Sequence, residues 1–275
     1  MKKILVTGSS GYIGSHLCDM LSSEYEVHGL DIVQPQVEIE KFYNIDINKQ
    51  FLIDGVEFDA VIHLAALTSV PESQERPISY YITNINGTMN VLNKVKTKNF
   101  IFASTGAAQD CLSAYGVSKR AAEDVVRSYT KMAGADHTIF RFYNVIGSTV
   151  AMPKNPDGLF YNLNKARETG EFTIFGTDYS NTSDGTCVRD YIHVEEVCHS
   201  IKMAIEKPSN SIECLGHGVG YTVHEMVNMF QKVNDCEFAV KNGPRRDGDI
   251  EYYVLENVSP YMKNLYSIED LLKVV

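Results

Sequence analysis

The chain has 275 residues, 44% of them hydrophobic, and 25 Lys and Arg against 35 Asp and Glu give it a formal net charge of −10. That length and apolar content allow one large domain, or a large domain with a smaller partner. The acidic balance disfavours nucleic acid or an anionic membrane as partner, no stretch approaches the ~20 apolar residues of a membrane span, and the N-terminal apolar run is too short for a signal peptide.

The first element in chain order is a short buried strand at 2–7 (K-K-I-L-V-T). It runs at once into Gly8-Ser9-Ser10-Gly11-Tyr12-Ile13-Gly14 and a helix at 12–22, where Ile13, Leu17 and Leu21 recur at helical spacing. Glycines at such a turn allow a tight bend, close backbone approach to a pyrophosphate and close helix packing. The phosphates then sit on the free N–H groups of the helix N-terminus. The spacing G-x-x-G-x-x-G is a relative of the dinucleotide pattern G-x-G-x-x-G. A second strand at 26–30 ends in Asp31, and an acid about 20 residues past the glycines is expected to bind the adenosine ribose hydroxyls. No arginine follows Asp31 closely, so a 2′-phosphate would meet a carboxylate without a cation. NAD is therefore expected over NADP. Glycine-rich turns also occur without cofactors, but here strand, helix and acid all stand in the right places.

Further strands are legible at 41–45, 59–64, 99–104 and 137–142, and further helices at 78–95 and 114–132. Such alternation predicts an α/β fold, a doubly wound parallel (Rossmann) sheet with helices on both faces. Ligands in that fold bind beyond the C-terminal strand ends, where Gly8, Asp31, Ala65-Ala66, Thr105 and Asn144 fall. After about residue 150 the pattern loosens into short strands with helices at 159–168 and 223–233, the second opened by Thr222 and Glu225 at capping-box spacing. The expected division is a dinucleotide-binding domain at 1–150, also receiving part of 188–206, and a smaller mixed C-terminal lobe at 151–275. The six cysteines (Cys18, Cys111, Cys187, Cys198, Cys214, Cys236) show neither a C-x-x-C pair nor zinc spacing. Free thiols in a cytoplasmic protein, with no metal, are expected.

Chemistry is carried by Tyr115-Gly116-Val117-Ser118-Lys119. Positions i and i+4 lie one above the other on a helix, so Lys119 can stabilise the phenolate of Tyr115. A tyrosine with the ordinary pKa of about 10 needs such help to act as a base near neutral pH. Thr105, at the preceding strand end, can hold a substrate alcohol against the same phenol. The trio suits removal of a proton from an alcohol during hydride transfer. Alone, Y-x-x-x-K also describes a solvated helix face; the glycine fingerprint shifts the balance.

Taken in order, these pieces resemble the extended short-chain dehydrogenase/reductase family, most closely its UDP-glucose (UDP-galactose) 4-epimerase branch. The likeness runs through V-T-G-S-S-G-Y-I-G-S-H at 6–16, V-I-H-L-A-A at 61–66, N-I-N-G-T at 84–88, Y-G-V-S-K at 115–119 and R-F-Y-N at 141–144. It continues through F-G-T-D-Y at 175–179, D-G-T-C-V-R-D-Y-I-H-V at 184–194 and P-R-R-D-G-D at 244–249. The resemblance implies an NAD-dependent isomerase with Tyr115 as base, Lys119 on the nicotinamide ribose and Thr105 on the sugar hydroxyl. It further implies Gly8, Gly11, Tyr12, Ile13, Gly14, Asp31, Asp46, Ile47, Leu64, Ala65, Ala66, Asn84 and Tyr143 around the cofactor. Asn144, Phe175, Arg189, Arg246, Asp249 and Tyr253 are implied around a UDP-sugar, and the protein as a homodimer. Asp190 and His193 read as fixing local structure rather than doing chemistry, His63 as a strand-end packing residue, and Arg245 as facing solvent.

Where relatives carry a much longer loop, only nine residues separate Thr105 from Tyr115; Gln109 replaces a usual tyrosine and Thr68 a usual lysine. Two other readings stay open. One is a different nucleotide-sugar epimerase or dehydratase, the latter disfavoured because Gly106-Ala107 follow Thr105 in place of an acidic pair. The other is a catalytically idle nucleotide-sugar-binding protein.

Overall fold

A computed structural model of the chain describes residues 1–246 and 249–274, and divides into two compact units. The first comprises 1–142 and 197–213, the second 143–196 and 214–275. The first is built on a seven-stranded sheet, ordered 212–215, 136–142, 99–105, 60–63, 3–7, 26–31, 41–44. All pairs from 136–142 to 41–44 are parallel. From the strand Lys3–Thr7 the chain builds outward first on one side and then on the other. This reversal is the topological switch point at which open parallel sheets bind ligands. Ile4, Leu5, Val6, Val61, Ile62, Phe100, Ile101 and Phe102 are buried, as a sheet covered on both faces requires.

The helix Ala114–Ala133 shows how the sequence makes the local structure. Ser113 caps its start by accepting from Gly116 N at 3.1 Å, and Gly134 ends it in the left-handed region at φ +68°. Its buried face includes Ala122, Val126 and Thr130 but also Lys119 and Glu123, two charges on a stripe that propensity alone would fill with apolar residues.

The expected helix at 78–95 is not continuous. Pro77–Tyr81 and Gly87–Lys94 are α-helical, and Ile82–Asn86 between them is a π-turn. Asn84 explains the widening, because its side chain bonds both N and O of Leu67 across a neighbouring loop (2.9 and 3.0 Å) and Ser118 Oγ at 2.9 Å. The helix Val70–Glu75 was not anticipated either; Ser69 caps it by accepting from Glu72 N at 3.2 Å.

In the second unit, Val188–His193 is the central strand. It pairs with Asn144–Ile146 and Tyr252–Tyr253 in parallel and with Gly220–Thr222 antiparallel. Ile146, Phe160, Leu163, Ile174, Tyr191 and Phe230 form its core. The helix Val223–Val233 carries the expected capping box, with Thr222 Oγ1 accepting from Glu225 N at 3.0 Å and Glu225 Oε2 accepting from Thr222 N at 2.8 Å. Asp190 and His193 are structural here. Asp190 accepts from the backbone N–H groups of His217, Gly218 and Leu255, and the His193 ring packs against Tyr266. All six cysteines are free thiols. No helix among the described residues is long and apolar enough to cross a membrane.

Candidate active site

The glycine turn lies at the switch point of the first unit. Gly8 adopts φ +73°, and a Cβ there would meet Ala65 N at 2.7 Å; one on Gly14 would meet Gly8 O at 2.0 Å. The helix Tyr12–Ser22 starts at Gly11 with no side-chain cap, so its first N–H groups, Ile13 and Gly14 among them, have no capping side chain to compete with a phosphate. Asp31 holds this turn, its Oδ2 accepting from Ser10 N at 3.0 Å and Oδ1 from Ile32 N at 2.7 Å and Val33 N at 3.2 Å. A carboxylate has about four lone-pair sites, so capacity remains for ribose hydroxyls.

The other cofactor candidates divide by what their side chains do. Leu64, Ala65 and Ala66 follow the strand Ala60–His63 and are partly exposed; Ala65 N donates to Thr7 Oγ1 at 3.3 Å. Asp46 is partly exposed and accepts from Asn48 N at 2.9 Å. Ile47 is buried in the core against Gly87, and its carbonyl accepts from Asn90 Nδ2 at 2.8 Å. Tyr12 sits edge-on to His16 at 5.3 Å. Tyr143 belongs to the second unit, where it stacks on Tyr253 with centroids 4.8 Å apart.

Tyr115, Lys119 and Thr105 all lie in the first unit. Tyr115 is half-buried, lies beside the Thr105 hydroxyl and meets the Tyr80 ring edge-on at 6.3 Å. Burial pushes its phenol up to about 12, opposed by the Thr105 hydroxyl. The expected tuning by Lys119 therefore does not by itself bring Tyr115 toward neutral pH. Lys119 is itself 3% exposed, and burial pulls its ammonium down to about 7 against the pull of Glu123. Its Nζ lies 4.2 Å from the Phe102 ring centroid and makes no hydrogen bond among the described residues. A buried ammonium without an acceptor, beside a backbone cradle that admits no Cβ, fits a dinucleotide whose ribose hydroxyls satisfy the amine. His63, just below, is locked between Thr7 Oγ1 at 2.7 Å and Thr88 Oγ1 at 3.0 Å and stays neutral, pushed down to about 3 by burial and the Lys119 charge.

The shortened connection after Thr105 is a compact turn. Thr105 Oγ1 accepts from Ala107 N at 3.2 Å, and Ala107 O packs so closely on the helix that a Cβ on Gly116 would meet it at 2.4 Å. Gln109 is exposed on this turn, and Thr68 is exposed as well.

The second unit gathers the remaining candidates. The Arg246 guanidinium lies 4.2 Å over the Phe175 ring, and Arg189 faces Asp249 at 3.7 Å. Asn144 Nδ2 donates to Asp190 O at 2.9 Å. A planar cation on an aromatic face, next to a second arginine, suits a base followed by a diphosphate. Arg245 is exposed, as expected, and on the surface it donates through Nε to Asp178 at 2.7 Å and stacks on Tyr179 at 4.1 Å. Sequence reasoning also missed Glu123 and Arg141, paired in the first unit. The signal was present, since Glu123 follows Lys119 by the same four residues that separate Lys119 from Tyr115.

Residues 4–214 match the family model described as the NAD dependent epimerase/dehydratase family. The UDP-glucose 4-epimerase of Haemophilus influenzae is 33% identical over 90% of this chain and 87% of its own length. Among solved structures, the UDP-glucose 4-epimerase of Bifidobacterium longum, in complex with NAD+ and UDP, superposes with a TM-score of 0.87 at 26% identity, over 98% of this chain and 96% of that one. The enzyme of that name from Thermotoga maritima, with UDP-glucose, gives 0.84 at 28% identity over 98% and 96%.

Proposed function

The chain belongs to the NAD dependent epimerase/dehydratase family, and from that premise we propose that it interconverts UDP-glucose and UDP-galactose by transient oxidation at sugar C4. The observation that carries this reading is Tyr115 beside Thr105, with a buried, acceptor-less Lys119 one helical turn along. Bound NAD supplies a hydride acceptor and a positively charged ring. Thr105 orients the 4′-hydroxyl, and Tyr115 removes its proton and later returns one to the opposite configuration. A phenol pushed up to about 12 gives up its proton near neutral pH only beside a cation, and Lys119 is the cation on its own helix. The glycine turn and Asp31 hold the dinucleotide, while Phe175 with Arg246 takes the uracil end and Arg189 the diphosphate. Purification followed by acid release and chromatography of the bound nucleotide, then a UDP-sugar screen, tests the whole reading. Absence of NAD, or of turnover on every UDP-sugar, sinks it.

Asp31 sets the cofactor preference. NAD should bind more tightly than NADP, because the carboxylate that accepts from ribose hydroxyls repels a 2′-phosphate. Equal dissociation constants for the two would refute this. The ratio is the quantity to measure, since Asp31 also holds the Ser10 N–H, and its removal loosens the turn for both cofactors.

Sugar preference is assigned to Tyr253. Tyr253 stacks on Tyr143, and in this reading its ring fills the space that a 2-acetamido group would need. Overfilling a packed site costs roughly 1–3 kcal/mol, which is about ten- to a hundredfold in selectivity. UDP-galactose should therefore exceed UDP-N-acetylgalactosamine in kcat/KM, with Tyr253→Cys narrowing the gap. The reverse preference in the unmodified protein would transfer control of specificity to the short turn after Thr105.

Assembly as a homodimer belongs to the same reading, in a cytoplasm whose reducing conditions suit the free thiols. Ile78, Ile82 and Met89 leave apolar side chains exposed along one helical segment, and Tyr129 and Met132 along another. Light scattering should return twice the 30.8 kDa chain mass. A monomer mass that does not change with concentration rejects the dimer.

A further inference from the structure

One turn beyond Lys119 the same helix face buries a carboxylate. Glu123 is 0% exposed and is bonded by three donors from two strands. Arg141 donates to it through Nε (2.9 Å, to Oε1) and Nη2 (2.6 Å, to Oε2), and Ser104 Oγ donates to Oε1 at 2.5 Å. Arg141, 8% exposed, lies on the strand Asp136–Phe142, and Ser104 on Asn99–Thr105, immediately before Thr105. The network therefore ties the helix carrying Tyr115 and Lys119 to the strand end carrying Thr105. It also sets the local charge, because one buried anion stands with two buried cations, Lys119 and Arg141.

Resting on the function proposed above, we infer that Glu123 is a positioning residue that acts through Lys119. Its carboxylate keeps Lys119 a cation beneath Tyr115, and its bonds to Ser104 and Arg141 keep Tyr115 in register with Thr105. The charged and titratable groups acting on Lys119 are Glu123 on its own helix, His63 on the strand Ala60–His63 and, through Glu123, Arg141, while Tyr115 lies one turn away on the same helix and Nζ sits over the Phe102 ring. His63 is held neutral and adds no charge. Without the anion, the two buried cations Lys119 and Arg141 would lose the counter-charge they share, and a guanidinium does not give up its proton. Lys119 would yield its proton, and a neutral amine does nothing for a phenolate. Burial already pulls Lys119 down to about 7 and Glu123 acts in the opposite direction, so the ammonium has little to spare.

Glu123→Gln keeps the side-chain size and one oxygen acceptor while removing the charge. In protein labelled with 15N at lysine Nζ, with Lys119→Arg to assign the resonance, the Lys119 midpoint should fall by at least about one pH unit. The alkaline limb of kcat against pH should move down with it, while KM for UDP-galactose changes by less than about twofold. Glu123→Asp, which restores the charge, should bring the midpoint back toward that of the wild type. An unshifted midpoint and an unshifted limb in Glu123→Gln overturn the proposal, because a purely structural role predicts lower stability with the profile unchanged. Should the glutamine variant not fold, the wild-type titration decides, since a Lys119 already neutral across the pH range of turnover also overturns it. A shifted midpoint without turnover on any UDP-sugar would leave Glu123 its role and remove the epimerase reading. Turnover with an unshifted midpoint would do the opposite.

Discussion

Tyr115→Phe should reduce interconversion of UDP-galactose and UDP-glucose by about 10²–10⁴-fold, the usual contribution of a positioned acid–base group. The substitution removes one oxygen. The ring keeps its edge-on contact with Tyr80, and the backbone of the helix, with its Ser113 cap, is untouched. The lost contact with the Thr105 hydroxyl costs about 1 kcal/mol, because the phenol is half-buried and water can take its place. Stability and cofactor content should therefore stay near those of the wild type while kcat collapses. A coupled assay alongside a thermal melt and a nucleotide determination separates the two effects. Survival of most of the activity on an accepted sugar would remove Tyr115 from the proton-transfer role.

Much of this was legible in the sequence, for physical reasons that differ from element to element. The parallel sheet announced itself through runs such as I-L-V and V-I-H-L, which a strand buried on both faces requires. The glycine turn was legible because steric exclusion leaves few alternatives to glycine at Gly8 and Gly14. The tyrosine–lysine pair was legible because helical spacing converts sequence distance into contact. What the sequence did not show depends on burial and on partners far along the chain. The π-turn at Ile82–Asn86 follows from Asn84 reaching Leu67 and Ser118, contacts that no local propensity encodes. The upward push on Tyr115 follows from how closely the chain packs around it, whereas spacing alone suggested a lowered phenol. Glu123 lay in plain view at the right spacing, but its weight comes from Arg141 and Ser104, which only the sheet brings to it.

Gly14→Ala should empty the protein of cofactor. A Cβ at Gly14 would stand 2.0 Å from Gly8 O and 2.9 Å from Gly8 C and Ser9 Cα, all of them backbone, so no rotamer change can relieve the clash. The Gly8 peptide would have to move, yet it is fixed on both sides: Gly8 N donates to Leu30 O at 2.8 Å, and Gly8 O accepts from Gly11 N at 3.1 Å. Moving it displaces the N–H groups that the pyrophosphate would use and disturbs the Ser10–Asp31 bond beside the proposed ribose site. The steric cost alone is roughly 1–3 kcal/mol. Loss of a ligand present at a hundred times its dissociation constant removes about 2.7 kcal/mol more. The thermal midpoint should thus fall further than the clash explains, and added NAD should fail to restore it. Gly134→Ala is the matched control. Its φ of +68° makes alanine unfavourable by about 1–2 kcal/mol, but nothing lies within 4 Å of the added Cβ. That variant should lose a little stability and keep its NAD. If Gly14→Ala instead purifies with a full complement of NAD and melts like the wild type, the glycine turn is not the phosphate cradle, and the cofactor must bind elsewhere on the sheet.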